Sequence, residues 1–190
     1  MAAKLWFFYG AMGSSKTADA LMKQYNYQEK GMKAALLKPR LENRDGVKII
    51  RSRIWLQAEC EYVEDFLKVV KDDWKPPYDA IIVDEAQFLT RENIDALSDI
   101  VDEYDIPVLC YGLRTDFQSN SFEGSARLLE LADELVEIST VCWCGRKARF
   151  NARVFNGQIV RDGEQIQMGG NESYVALCRR HFKQGKINHE

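Results

Sequence analysis

Nowhere in the 190 residues does an apolar run approach the roughly 18 needed to cross a bilayer. The opening "MAAKLWFFYG" is also too short an apolar stretch for the core of a secretory leader. A cytoplasmic chain with no membrane partner is therefore expected. Positive charge is not in excess either. Lys and Arg number 26 against 29 Asp and Glu, a net charge of -3, which argues against a protein whose main work is gripping a nucleic-acid backbone. Internal repeats and low-complexity tracts are missing, so neither a solenoid nor a disordered tail is indicated. The cysteines, Cys60, Cys110, Cys142, Cys144 and Cys178, number five, an odd count that does not make a disulfide framework. What is present is enough apolar residue, 46%, to build a proper core in one main domain with a small appendage.

Apolar runs at 5–9, 34–37, 80–83, 106–113 and 135–138 read as strands. Between them, 16–29, 62–70, 92–104 and 125–132 carry helical spacing. Such alternation is the signature of an α/β fold with a mostly parallel sheet. From Cys142 onward the sequence turns short, polar and rich in Asn-Gly, Asp-Gly and Gly-Gly pairs, which favour hairpins or a long loop. A boundary near Thr140 is expected, giving domains at 1–140 and 141–190. Cys60 falls in a helical pattern and Cys110 in a strand pattern, and both read as plain buried thiols.

The first strand runs into "GAMGSSKT", which fits the phosphate-loop pattern G-x-x-x-x-G-K-[ST] except at Ser15, where the second glycine belongs. A strand, this loop and a helix in immediate succession are the context such a loop requires. Its N–H groups, from Gly10 through Gly13, Ser14 and Ser15, would wrap phosphates at a helix N-terminus, with Lys16 neutralising them and the Thr17 hydroxyl on Mg²⁺. The bland reading is a strand–turn–helix with small residues and an exposed lysine. Ser15 adds a Cβ where close phosphate approach favours glycine, so weakened but surviving binding is expected.

A nucleotide site also needs acid at the tip of a neighbouring strand, and "AIIVDE" supplies it. Asp84 is suited to the Mg²⁺ shell and Glu85 to act as a base. Further on, Cys142-x-Cys144 and Cys178-x-x-His181 form two ligand pairs of the types that tetrahedral structural Zn²⁺ takes.

Taken in order, "GAMGSSKT", "LKPRLENR", "VDEAQFL", "YGLRTDF", "CWCG" and "GGNESYVALCRRH" resemble the type II thymidine kinases over nearly the whole chain. That resemblance implies a P-loop nucleotide-binding domain carrying a small C-terminal zinc-binding domain, whose lasso loop closes over the nucleoside. It also implies transfer of the ATP γ-phosphoryl group to the 5′-hydroxyl of thymidine, and often deoxyuridine, with Mg²⁺, by a homotetramer. By the same resemblance Lys16, Thr17 and Asp84 contact phosphate and magnesium, Glu85 is the general base, and Arg44 lies near the transferred phosphate. Met12, Phe88, Leu113, Phe117, Phe122 and Tyr174 would surround the thymidine; read from pattern alone, these apolar residues pack a core equally well. Glu42 stands where the family has aspartate. Arg53 is either a further phosphate contact or a solvated surface residue. Two other classes stay open: a helicase-like ATPase, since "DEAQ" after a phosphate loop occurs there too, and a non-catalytic nucleotide-binding protein.

Overall fold

The computed structural model describes residues 2–42, 46–70, 74–166 and 173–188. In chain order the elements are β1 (Leu5–Tyr9), α1 (Lys16–Glu29), β2 (Ala34–Lys38), β3 (Ile49–Arg51), β4 (Gln57–Glu59), β5 (Glu61–Tyr62), α2 (Val63–Val69), β6 (Ala80–Val83), α3 (Arg91–Tyr104), β7 (Val108–Gly112), α4 (Glu123–Leu131) and β8 (Glu134–Glu137). They continue as β9 (Thr140–Val141), β10 (Lys147–Ala148), β11 (Phe150–Phe155), β12 (Gln158–Ile159), β13 (Ser173–Leu177) and α5 (Arg179–Gln184).

Six strands form one sheet in the order β5-β2-β6-β7-β1-β8, every pair parallel. Both faces of such a sheet are covered, which explains why β6 is apolar at every position rather than alternating. Ile81 and Val83 pack with Phe66, Ile94, Leu97 and Leu128 on the side of α2, α3 and α4. Ile82, between them, points the other way and packs with Ala20 and Leu21 of α1. At the start of α3 the Thr90 hydroxyl accepts from the Asn93 N–H while the Asn93 side chain accepts from Thr90, so both ends of the turn are capped.

After β8 the chain changes character. β11 pairs antiparallel with β12 and β13, and β9 with β10. A separate small core of Cys142, Ala148, Ala152, Leu177, Cys178 and Phe182 lies beneath them.

Two expectations differ from the structure. Cys60 lies between β4 and β5, not in a helix, although it is buried as expected. The stretch before it forms the β3–β4 hairpin, whose strands are only three residues each and carry no apolar alternation to announce them. Leu113, expected as the end of a strand, lies just beyond β7, where its N–H bonds a side chain instead of a neighbouring strand.

Candidate active site

The loop between β1 and α1 is shaped by what its backbone must approach. A side chain at Gly10 would sit 2.3 Å from the Ile138 carbonyl oxygen and 2.5 Å from Ser14 Oγ, so no other residue fits there. Ser15 caps α1 with φ +62° and ψ +21°, the left-handed region that glycine adopts freely and serine only at a cost of about 1 kcal/mol. The pattern asks for glycine at this position because of that angle, and the loop keeps the angle with serine.

Lys16 is 9% exposed, and its ammonium donates to the Ala11 carbonyl at 2.8 Å, Ser14 Oγ at 3.1 Å and the Gly10 carbonyl at 3.3 Å. Burial pushes its pKa down, and the charges of Glu85 and Asp84 oppose that shift. Asp84, at the end of β6, is 4% exposed and hydrogen-bonded to the Thr17 side chain. Burial, with the adjacent Glu85 charge, raises its carboxyl to about 7. A buried acid of this kind ionises readily only beside added positive charge. Tyr111, buried on β7, donates to Asp19 Oδ2 at 2.8 Å and so ties the first turn of α1 to the sheet.

Glu85 follows with φ +53° and leads directly into a short 3₁₀ turn, Ala86–Phe88. The Gln87 side chain donates to the Glu85 carboxylate with its amide nitrogen and accepts from the Leu113 N–H at 3.0 Å with its oxygen. Gln87, 2% exposed, thus links the acid to the wall of the neighbouring pocket. In the sequence Gln87 is marked only by its place two residues beyond the acid, in "VDEAQFL".

Two hollows meet here. The first is a cleft of about 420 Å³, within the usual size of ligand sites, lined by the loop from Met12 to Thr17 with Asp84, Glu85 and Leu113. Glu42 and Arg53 line it too. Glu42 is 3% exposed and stands 3.8 Å from the buried Lys38 ammonium. Arg44 lies outside the described residues, as does the 167–172 part of the expected lasso.

The second hollow is apolar, and Met12, Phe88, Leu113, Phe117, Phe122 and Tyr174 all line it. Phe88 and Phe122 meet edge to face at 5.7 Å. Met12 and Leu113 line both hollows, so the phosphate loop forms one wall of the apolar pocket.

Sequence reasoning missed the polar residues of this second pocket, Asp116, Asn151 and Gln165 in its lining and Arg153 behind its aromatic wall. Asn151 accepts from the Met12 N–H at 2.8 Å and donates to the Thr115 carbonyl at 2.9 Å. Arg153, 1% exposed, lays its guanidinium 3.7 Å over the Phe117 ring and donates to Tyr174 Oη at 2.8 Å and the Glu164 carbonyl at 3.1 Å. Both sit on β11, two residues apart and so on one face. Nothing in the local sequence marks them, because their partners are brought from elsewhere in the chain.

Away from the clefts, Cys142, Cys144, Cys178 and His181 bring their ligand atoms within 4.8 Å of one another. Cys142 Sγ is 3.5 Å from His181 Nδ1, and Trp143 stacks on the His181 ring at 4.1 Å. Three thiols and an imidazole at these separations fit a tetrahedral structural metal such as zinc.

A family model described as thymidine kinase matches residues 3–182. The chain is similar to the thymidine kinase of Rhodopirellula baltica, 48% identical over 187 residues, covering 96% of this chain and 89% of that protein. It is 46% identical to the thymidine kinase of Pasteurella multocida over 96% of this chain and 97% of that one. With the thymidine kinase of Legionella pneumophila strain Paris it shares 48% identity over 190 residues, 97% of this chain and 91% of the relative.

Proposed function

This chain belongs to the thymidine kinase family, and from that premise we propose that its two joined hollows transfer the γ-phosphoryl group of ATP to the 5′-hydroxyl of thymidine. The chain is an ATP-dependent thymidine kinase, a transferase. The non-catalytic reading and the helicase-like reading are not favoured.

The observation that carries the reading is the shared wall. Met12 and Leu113 separate a cleft holding Lys16, Thr17, Asp84 and Glu85 from a smaller, mainly aromatic hollow of about 70 Å³. In that arrangement the acceptor hydroxyl and the donor phosphate meet at the wall. The 5′-oxygen forms its bond to the γ-phosphorus as the bond from phosphorus to the β,γ-bridging oxygen breaks, ADP leaves, and the hydroxyl proton passes to the Glu85 carboxylate. Lys16 exchanges its loop acceptors for phosphate oxygens, where its charge counts more for being buried. Gly10, Gly13, Ser14 and Ser15 shape the N–H cradle. Arg44 and Arg53 add positive charge near the transferred group.

Mg²⁺ bound with ATP supplies further charge neutralisation, and the Thr17 hydroxyl beside Asp84 is the pair that would hold it. Phe88, Phe117, Phe122 and Tyr174 enclose the thymine and sugar, with Asn151 and Arg153 holding that wall. Cys142, Cys144, Cys178 and His181 hold structural Zn²⁺. Among the described residues no helix is long and apolar enough to cross a membrane. A cytoplasmic homotetramer that does not depend on nucleic acid completes the proposal.

The test is formation of thymidine monophosphate from ATP, Mg²⁺ and thymidine by the purified protein, with Glu85→Gln beside it. Turnover by the wild type, reduced about 10²–10⁴-fold in the variant with ATP binding kept, is the expected result. Equal turnover in both would remove Glu85 from the reaction.

A further inference from the structure

On a chain with net negative charge, one hollow is lined almost entirely by cations. Its volume is about 610 Å³. Arg114 enters it from the segment after β7, Arg146, Lys147 and Arg149 from around β10, and Arg179, Arg180 and Lys183 from α5 and its start. Among the described residues no carboxylate lines it. Among the described residues the only ion pairs these cations make are Lys147 and Arg149 with the single Glu137. A divalent ion held by three thiolates and an imidazole nearby contributes one further net negative charge, through Cys178 at the hollow's edge. Positive charge therefore remains well in excess, and like charges gathered this closely repel one another unless an anion lies among them.

The shape narrows the ligand. The cations ring a concavity instead of forming the long track that a nucleic-acid backbone needs. Phe150, the one aromatic residue in the lining among the described residues, stacks on Phe182 at 4.9 Å, so its ring is engaged within the small core. The hollow is also separate from the nucleoside pocket. Phe150 lines this hollow while Asn151 lines that pocket, adjacent residues of β11 pointing to opposite faces.

We propose that this hollow binds an oligophosphate, a chain of several linked phosphates, at a second site distinct from the phosphate loop. Guanidinium groups from three separate segments offer the paired donors that phosphate oxygens take, and among the described residues no aromatic ring of the lining is left open to stack on a base.

Calorimetric titration of the zinc-loaded protein with inorganic tripolyphosphate, at about 50 mM salt where phosphate contacts are least screened, tests this. The double variant Arg180→Gln/Lys183→Gln is expected to bind one equivalent per chain fewer than the wild type. Its zinc content and its KM for ATP and thymidine should stay unchanged. Arg180→Lys/Lys183→Arg, which keeps the charge, should retain the site. A parallel titration with GTP separates the sources of the ligand: tighter binding than tripolyphosphate at this second site assigns it to nucleoside triphosphates, equal binding to the phosphate chain alone. An unchanged stoichiometry in the glutamine variant overturns the proposal. So does single-stranded oligonucleotide binding that the glutamine variant loses while tripolyphosphate binding stays.

Discussion

Ser15 holds a backbone angle that disfavours it, φ +62°, within a loop whose neighbours Gly10, Ser14 and Lys16 are closely packed against one another. Replacing it with glycine removes the Cβ conflict but frees the unfolded chain, two effects of opposite sign and each about 1 kcal/mol. Ser15→Gly is therefore expected to change the melting temperature by no more than a few degrees and to lower, not raise, the KM for ATP. A rise in that KM would mean that serine contributes a contact of its own. Asp84 offers a second test at the same scale. Its folded pKa, raised by burial and by Glu85, lies above the unfolded value, so the folded state holds a proton that the unfolded chain releases. Stability from this residue is full below the unfolded value near 4 and is lost as pH rises through about 7. Without nucleotide, Asp84→Asn should gain on the wild type in thermal denaturation as pH goes from 5 to 8, by on the order of 2 kcal/mol; a difference that stays flat with pH would show that Asp84 is already ionised in the folded protein.

At the scale of elements, β11 does more than close the small sheet. It carries Asn151 to the phosphate loop and Arg153 to the aromatic wall, so the position of Met12, Phe117 and Tyr174 depends on a strand far along the chain. Asn151→Leu keeps the volume but leaves the Met12 N–H and the Thr115 carbonyl without their side-chain partner, at about 1–3 kcal/mol per orphaned group. A lower melting temperature and a KM for thymidine raised about tenfold are expected; an unchanged KM would show that Met12 is held without this bond. The sequence made the sites on β1, β6 and α1 legible because their residues are neighbours along the chain: Gly10 to Thr17 in one loop, Asp84 and Glu85 at one strand end. Asn151 and Arg153 were not legible, since each acts through a partner distant in sequence; Gln87 stands two residues from the acid it bonds, and only its link to the Leu113 N–H spans the chain. The hairpin β3–β4 was missed for a related reason: its strands are three residues each, too short for a pattern.

For the molecule as a whole, the metal cluster and the site are mechanically joined. Cys142 and Cys178 belong to the small core under β11 and β13, and those strands carry Asn151, Arg153 and Tyr174. Metal analysis should find about one zinc per chain. Its removal by chelator is expected to raise amide exchange across β11 and β13 while β6, buried at every residue in the parallel sheet, stays protected. Thymidine turnover should fall with it. A metal-free protein with β11 still protected would count against a structural metal.

The sequence by itself determined the alternation that makes a parallel sheet, the phosphate loop, the acidic strand tip and the ligand types of the metal cluster, because each is a local pattern of side-chain chemistry. Only the tertiary structure decided that Met12 and Leu113 form a wall common to two hollows, that Ser15 stands at a left-handed angle, and that seven cations from three segments surround a third hollow. The physical reason is that distance along a folded chain is set by sheet order and strand register, and those are properties of the whole packing, not of any window of residues.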